Sequence, residues 1–211
     1  MRNLSGKLSA AVFLLAGAYA AQADDAAVQK LGVKLEPLAV LQAQFVQTVS
    51  DDKGKILQTS EGTLAVKRVN RLRWETTSPF AYLIVTDGKI LWRYDRDLEQ
   101  ATKQAFSGEL ADAPALILSG DMVRIRARYD VKWEQGSAGE WFTLVPKAQK
   151  PMFRELKLLF SGGGLAELDL IDNLAQRTEI RFSAVKVNPT LPDTLFNFTP
   201  PVGVDVVVDE H

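Results

Sequence analysis

Tyr82-Leu83-Ile84-Val85-Thr86-Asp87-Gly88-Lys89-Ile90-Leu91-Trp92-Arg93-Tyr94 decides the fold class. Two short runs of branched and aromatic residues flank Asp-Gly, a pair that readily adopts the positive φ angles of a tight turn. The segment predicts an antiparallel hairpin, and the sequence on either side repeats the device. Upstream, Gln42 to Val49 and Lys55 to Lys67 flank the turn Asp51-Asp52-Lys53-Gly54, with Gly62 marking a bulge or a bend. Arg71 to Thr76 alternates, so Leu72 and Trp74 face one way and Arg71, Arg73 and Glu75 the other. Downstream, strands are predicted at Leu98–Lys103, Glu140–Pro146, Arg154–Phe160, Leu165–Ile171, Gln176–Val187, Phe196–Pro201 and Val204–Val208, with Gly162-Gly163-Gly164 as one turn. Consecutive short strands joined by turns predict a mainly β chain: one antiparallel sheet curled toward an open barrel.

Two stretches break the β pattern. Val28, Leu31, Leu35 and Leu38 recur at spacings of three and four, predicting a helix over residues 24–38, although Gly32 lowers its propensity. Within residues 107–120, Pro114 precedes Ala115-Leu116-Ile117-Leu118 and Gly120 follows, the flanking residues of a short helix. Both helices are apolar on one face and suit the mouth of a curled sheet. Residues 121–128 leave two readings open. Val123 to Glu134 alternates like a strand, yet Asp121 could cap a further short helix before a strand starts near Tyr129.

The first 23 residues read as an export signal to be removed. Arg2 and Lys7 precede an apolar run from Leu8 to Gly17 that is short for a bilayer span, and Ala21-Gln22-Ala23 is a small-x-small cleavage site. Residues 24–211 are then expected as a single domain. No cysteine is present, so neither a disulfide nor a lipid-bearing cysteine is available. The net charge of −1 offers no basic field for nucleic acid.

The sole histidine is His211, the last residue. Triad and histidine–metal chemistry need a positioned imidazole, so these enzyme classes are disfavoured and no metal is expected. Carboxylates remain: Asp51-Asp52 in a turn, and Asp95 and Asp97 around a loop. A glycosidase needs two carboxyls facing across a cleft, and such residues are also ordinary in turns. Trp74, Trp92, Tyr94, Trp133, Trp141, Phe142, Phe160 and Phe182 all fall in predicted strands. They either fill a plain core or line a concave apolar face left free for a ligand.

Several segments, in order, carry a resemblance. They are Gln44-Phe45-x-Gln47-Thr48, Lys67-Arg68-Val69-Asn70-Arg71-Leu72-Arg73-Trp74-Glu75, Val85-x-Asp87-Gly88-Lys89-x-Leu91-Trp92-x-Tyr94-Asp95, Leu98-Glu99-Gln100-Ala101-Thr102, Pro114-Ala115-Leu116-Ile117-Leu118, Leu144-x-Pro146-Lys147 and Phe196-x-Phe198-x-Pro200-Pro201-x-Gly203-Val204-Asp205. Together they resemble the LolA family of periplasmic outer-membrane lipoprotein carriers. The resemblance implies an incomplete antiparallel β-barrel with a short-helix lid over an apolar cavity. It implies a monomeric periplasmic chaperone without cofactor, not an enzyme. Its partners would be acylated lipoproteins, an inner-membrane lipoprotein-releasing ABC transporter and an outer-membrane lipoprotein receptor. A LolA-like lipid-binding module of another lipid-export or lipoprotein-sensing pathway is the alternative.

The same resemblance implies that Arg68 latches the lid, with backbone carbonyls of Leu35, Leu118 and Ser119 as acceptors. Val69 stands where the family commonly has proline. By period-two phase, Leu72, Trp74, Leu83, Val85, Trp92, Leu144, Phe160 and Phe182 are expected on the acyl-chain face, with Leu31, Leu35, Leu116, Ile117 and Leu118 covering it. Such a carrier answers a physical need. Burying one CH₂ is worth ~0.8 kcal/mol, so a chain of ~16 carbons resists entering water by ~12 kcal/mol.

Overall fold

Twelve strands line up in a single sheet whose two end strands do not meet. In chain order they are β1 (Val40–Ser50), β2 (Ile56–Lys67), β3 (Arg71–Ser78), β4 (Tyr82–Thr86), β5 (Ile90–Asp95), β6 (Gln100–Ala105), β7 (Tyr129–Gly136), β8 (Gly139–Pro146), β9 (Phe153–Ser161), β10 (Gly164–Asp172), β11 (Arg177–Val187) and β12 (Asp205–Asp209). Across the sheet the order is β12-β6-β5-β4-β3-β2-β1-β11-β10-β9-β8-β7. This computed structural model describes residues 25–68, 70–106, 118 and 121–209. The expected leader, Val69, Leu116, Ile117, Ser119 and His211 lie outside the described residues.

The sheet is the expected open barrel, with one departure from an all-antiparallel design. β12 runs parallel to β6, with Val206 beside Ala101 and Val208 beside Lys103. A parallel neighbour needs a long connection, and residues 188–204 supply it from the end of β11. Phe196–Pro201, expected as a strand, is instead a 3-10 turn (Asp193–Phe196) followed by irregular extended chain. Pro200 and Pro201 have no N–H to give a ladder.

Helix α1 spans residues 25–35 and a turn covers residues 36–39. The helix stops short of Leu38 because Pro37 cannot donate to the ladder. Leu38 still folds back, its amide donating to the Leu35 carbonyl at 2.9 Å. Helix α2 (Met122–Arg128) resolves the open segment: Asp121 caps it by accepting from the Arg124 amide at 3.0 Å, and β7 begins at Tyr129. Only Ile125 of α2 is buried, so the alternation that looked like a strand lies on a mostly exposed helix. β6 begins two residues later than expected because the turn after β5 occupies residues 96–99.

The core lies between the sheet and these helices. Ala27, Val28, Leu31, Leu35 and Leu38 join Leu118 and Ile125 against Leu41, Phe45, Leu64, Val66, Leu72, Phe142, Leu144, Phe160 and Ile180. Each fully buried leucine contributes about 1.5–3 kcal/mol relative to water exposure. Gly62 makes one close approach possible: a Cβ there would lie 2.0 Å from the Glu75 carbonyl oxygen and 2.8 Å from Phe45 Cζ. The β2–β3 register shifts at this point, so the suspected bulge is present.

Candidate functional site

The residues under the lid are set by strand register. Leu72 stands opposite Val66 on β2 and Thr86 on β4; Trp74 stands opposite Leu64 and Ile84. Opposed residues share a face, so Leu64, Val66, Leu72, Trp74 and Ile84 form one apolar surface. Phe45 on β1 extends it, with its ring centroid 4.3 Å from that of Trp74, and Phe182 on β11 faces Phe45. On the far half, Leu144 faces Val131 and Leu156, and Phe142 packs edge-on to Phe160 at 5.7 Å. The structure thus brings Leu31, Leu35, Leu72, Trp74, Leu118, Leu144, Phe160 and Phe182 into or against one cluster.

Leu83, Val85 and Trp92 are not part of it. Val85 faces Arg73 and Trp92; Leu83 faces Glu75 and Tyr94. All three therefore sit on the opposite side of the sheet from Leu72 and Trp74. The expected phase fails here because Leu83-Ile84-Val85 is apolar at every position, so period-two alternation cannot choose a face. Both faces of this half of the sheet are covered. Phe198 packs 5.5 Å from Trp92 and 5.3 Å from Tyr94, and Phe196 is fully buried. Lys67 fixes this outer strap by donating to the Leu191 carbonyl at 3.2 Å and pairing with Asp193 at 2.6 Å.

Arg68 sits where the lid joins the sheet. Its amide donates to the Ala39 carbonyl at 2.9 Å, and Nη2 donates to the Leu35 carbonyl at 2.6 Å. Carbonyls in the last turn of a helix lack intrahelical donors, so a guanidinium is a natural partner. The Leu35 oxygen serves both Leu38 and Arg68. Nε of Arg68 is buried and has no partner among the described residues. Leu118 is buried in the cluster under the lid.

A second contact holds α1 from the opposite half of the sheet, and no sequence signal pointed to it. Lys34 pairs with Glu140 of β8, whose other oxygen accepts from Trp133 Nε1 at 3.1 Å. Lys30 Nζ lies 4.0 Å above the Trp133 ring. Hydrogen bonds from Lys34 and then Trp133 hold the Glu140 carboxyl below the ordinary glutamate range. Both lysines lie on α1, one helical turn apart, and their partners Trp133 and Glu140 lie more than one hundred residues away. Only tertiary structure joins them.

Asp51, Asp95 and Asp97, candidates for catalysis, each accept backbone amides in or between turns. Asp51 closes its turn by accepting from the Lys53 and Lys55 amides, and Asp95 accepts from the Asp97 and Leu98 amides. A group with metal-ligand spacing does occur among the described residues: Glu167, Asp169 and Glu179, within 4.8 Å of one another. Arg177 reaches Asp169 at 2.8 Å and Glu179 at 2.9 Å, and Arg181 reaches Glu179 at 2.6 Å. These guanidiniums supply the positive charge a cation would. Burial, then the neighbouring Asp169 and Glu179, nonetheless push the Glu167 carboxyl up. No described helix is long and apolar enough to cross a membrane.

Comparison with known proteins agrees with this geometry. Residues 36–199 match the family model described as outer membrane lipoprotein carrier protein LolA. A protein of Azotobacter vinelandii (strain DJ) is 38% identical over 200 residues, covering 95% of each chain, and is named outer-membrane lipoprotein carrier protein. One from Pseudomonas aeruginosa (strain UCBPP-PA14), with the same name, is 40% identical over 195 residues, 92% of this chain and 94% of that one. Among solved structures, an uncharacterized conserved protein from Thermus thermophilus shares the fold, with a TM-score of 0.56 and 13% identity over 86% of this chain and 98% of its own.

Proposed function

This chain belongs to the LolA family of outer membrane lipoprotein carrier proteins, and from that premise we propose that it carries acylated lipoproteins through the periplasm. Residues 1–23 direct export and are removed. The carrier accepts cargo from an inner-membrane lipoprotein-releasing ABC transporter and hands it to an outer-membrane lipoprotein receptor. No bond is made or broken in either transfer, so the protein acts as a transport chaperone.

One observation supports this reading above the others. The apolar face that would receive acyl chains is filled by the lid's own leucines: Leu31, Leu35 and Leu118 are buried on it. Acyl chains and lid side chains compete for the same surface. Loading exchanges one apolar occupant for another, and the closed empty state offsets much of the affinity for cargo. A carrier needs this balance, because a site that bound ~12 kcal/mol of chain with no competitor would not release it.

Arg68 and the acceptor carbonyls of Leu35, Leu118 and Ser119 form the proposed latch. The proposed acyl face is Leu72, Trp74, Leu144, Phe160 and Phe182, under Leu31, Leu35, Leu116, Ile117 and Leu118. The test is a two-stage transfer with the mature protein. Inner-membrane vesicles bearing the transporter and a native lipoprotein receive ATP and carrier, and the loaded carrier then meets purified receptor. A soluble carrier–lipoprotein complex that empties onto the receptor is the expected result. Absence of ATP-dependent release would overturn the proposal.

A further inference from the structure

At the end of the sheet away from Arg68, three loops tied to one another present apolar side chains to water. Phe80, between β3 and β4, is 66% exposed; Leu98, between β5 and β6, is 72% exposed; Val202, before β12, is fully exposed. The loops are joined by backbone. The Arg96 amide donates to the Ala81 carbonyl at 3.0 Å, the Ala81 amide to Asp97 at 3.4 Å, and the Asp205 amide to the Glu99 carbonyl at 2.9 Å. β3 begins beside the latch and ends beside Phe80, so about eight residues at ~3.3 Å each separate the two regions.

Single exposed apolar residues are ordinary, but a group held together on rigid loops marks an interaction surface. These tips are pre-organised: the Leu98 amide donates to Asp95 at 3.0 Å, and Val204 donates to the Pro201 carbonyl at 3.3 Å. Little ordering would remain to be done on binding. Leu98 also opens the segment Leu98-Glu99-Gln100-Ala101-Thr102, which neither the lid nor the proposed acyl face uses.

Charge decides the occupant. Asp95, Asp97 and Glu99 flank Leu98, Asp205 follows Val202 by three residues, and Asp97 reaches the Ala81 amide beside Phe80. The one cation within these loops, Arg96, is already paired with Glu75 at 2.5 Å. An anionic lipid surface would be repelled. A second copy would set the same carboxylates against one another across a two-fold axis. We propose that Phe80, Leu98 and Val202 form a docking surface for a protein partner that presents an apolar recess ringed by lysine or arginine. The proposal rests on the carrier reading, because such a partner grips the carrier a strand length from the lid and leaves the lid free to move.

The experiment is the two-stage transfer run over increasing salt, with wild type, the pair Phe80→Ser/Leu98→Ser, and the pair Asp97→Asn/Glu99→Gln. The apolar pair is expected to slow one stage about ten-fold or more, the scale of a lost interface anchor. The charge pair slows that same stage and flattens its salt dependence. Because it leaves the apolar tips in place, it keeps the test open should the first pair fold poorly. Unchanged rates and salt profiles for the charge pair overturn the proposal. Flotation of wild type with vesicles of phosphatidylglycerol and phosphatidylethanolamine, abolished by the apolar pair, assigns the surface to membrane and also overturns it. So does wild-type dimerisation in sedimentation that the same pair abolishes. Wild type that transfers nothing defeats the carrier reading and the surface with it, whereas normal transfer by wild type and both pairs defeats the surface alone.

Discussion

Arg68 Nη2 and the Leu35 carbonyl oxygen lie 2.6 Å apart, joining the turn after β2 to the last turn of the lid helix across 33 residues of sequence. The Arg68 amide is bonded to Ala39 as well, so the guanidinium is held at the hinge where α1 becomes β1. A shielded charge-assisted bond of this kind is worth about 1.5–3 kcal/mol. In the proposed carrier cycle it belongs to the closed state alone, because raising α1 removes the acceptor.

Arg68→Leu therefore weakens the proposed closed state without touching the apolar surface beneath α1. The variant is expected to accept lipoprotein at least as well as wild type and to fail in passing it to the receptor. Arg68→Lys falls between, since an ammonium does not bridge several carbonyls as a planar fork does. Transfer from each loaded variant to purified receptor checks this. Normal delivery by Arg68→Leu at unchanged loading would sink the latch.

Glu140 gives the lid a pH response in acid. Lys34, then Trp133, hold its carboxyl below the usual value of 4.5. A lowered folded-state pKa means that the contribution is complete above the unfolded value and is lost as pH falls through the folded one. Amide exchange over residues 25–35, corrected for intrinsic rate, should be flat from neutral pH down to about 5 and faster below the ordinary glutamate range. In Glu140→Gln the faster exchange should appear already at neutral pH, because the ion pair with Lys34 is gone. Identical exchange in the two proteins at neutral pH would mean that the contact does not hold the lid.

Local chemistry made most of the sheet readable. The Asp87-Gly88 turn, the Asp51–Gly54 turn and the triple glycine fix where strands reverse, and each hairpin stands where its turn residues put it. The leucine spacing of α1 survived because its burial is one-sided. The outer strap was not readable. Phe196 and Phe198 look like strand residues, yet Phe198 packs on Trp92 and Tyr94 from outside the ladder and Phe196 is buried at the end of a 3-10 turn. Leu83 and Val85 carry no phase in sequence, because their strand is apolar at successive positions and covered on both faces. Arg68 was legible only through the family resemblance, and Glu140 not at all. A lone charge at a strand end carries no local mark of a partner on a distant helix.

Gly62 is a tightly restricted backbone position on the apolar surface beneath α1. Its missing Cβ leaves room for the Glu75 carbonyl and for the Phe45 ring, and neither neighbour can retreat without breaking the β2–β3 ladder or displacing Trp74. Gly62→Ala should cost ~1–3 kcal/mol or more as overpacking, read as a lowered urea midpoint. Wild-type stability in that variant would mean that the close approach between β2 and β3 is absent.

Gly32 behaves in the opposite sense. A Cβ there would sit 3.6 Å from Met122 Cγ of α2, an ordinary van der Waals contact. Gly32→Ala should raise helix stability by ~1 kcal/mol and add a contact between α1 and α2. A higher melting temperature together with slower loading of lipoprotein is expected, because the propensity gain follows α1 wherever it moves but the contact with Met122 belongs to the docked helix. A raised melting temperature with faster loading would show that α1 need not move for cargo to enter.

Register separates two sets of side chains that sequence treats alike, and cargo should distinguish them. Leu72 and Phe182 share the surface beneath the lid, whereas Leu83 and Trp92 lie on the other side under the strap that carries Phe198. A photo-crosslinker at Leu72 or Phe182 should capture the acyl chains of bound lipoprotein; one at Leu83 or Trp92 should capture only the 191–198 segment of the carrier itself. Position 83 is the sharper control. It is one residue from Ile84, which packs against the lid-side core, so the two sites differ in face and hardly in height along the strand. Strong capture at Ile84 with little at Leu83 is the expected pattern. Strong capture at Leu83 with little at Ile84 would mean that the strap, and not the helical lid, is displaced when cargo enters, and the acyl site would then lie on the outer face of β3 to β6.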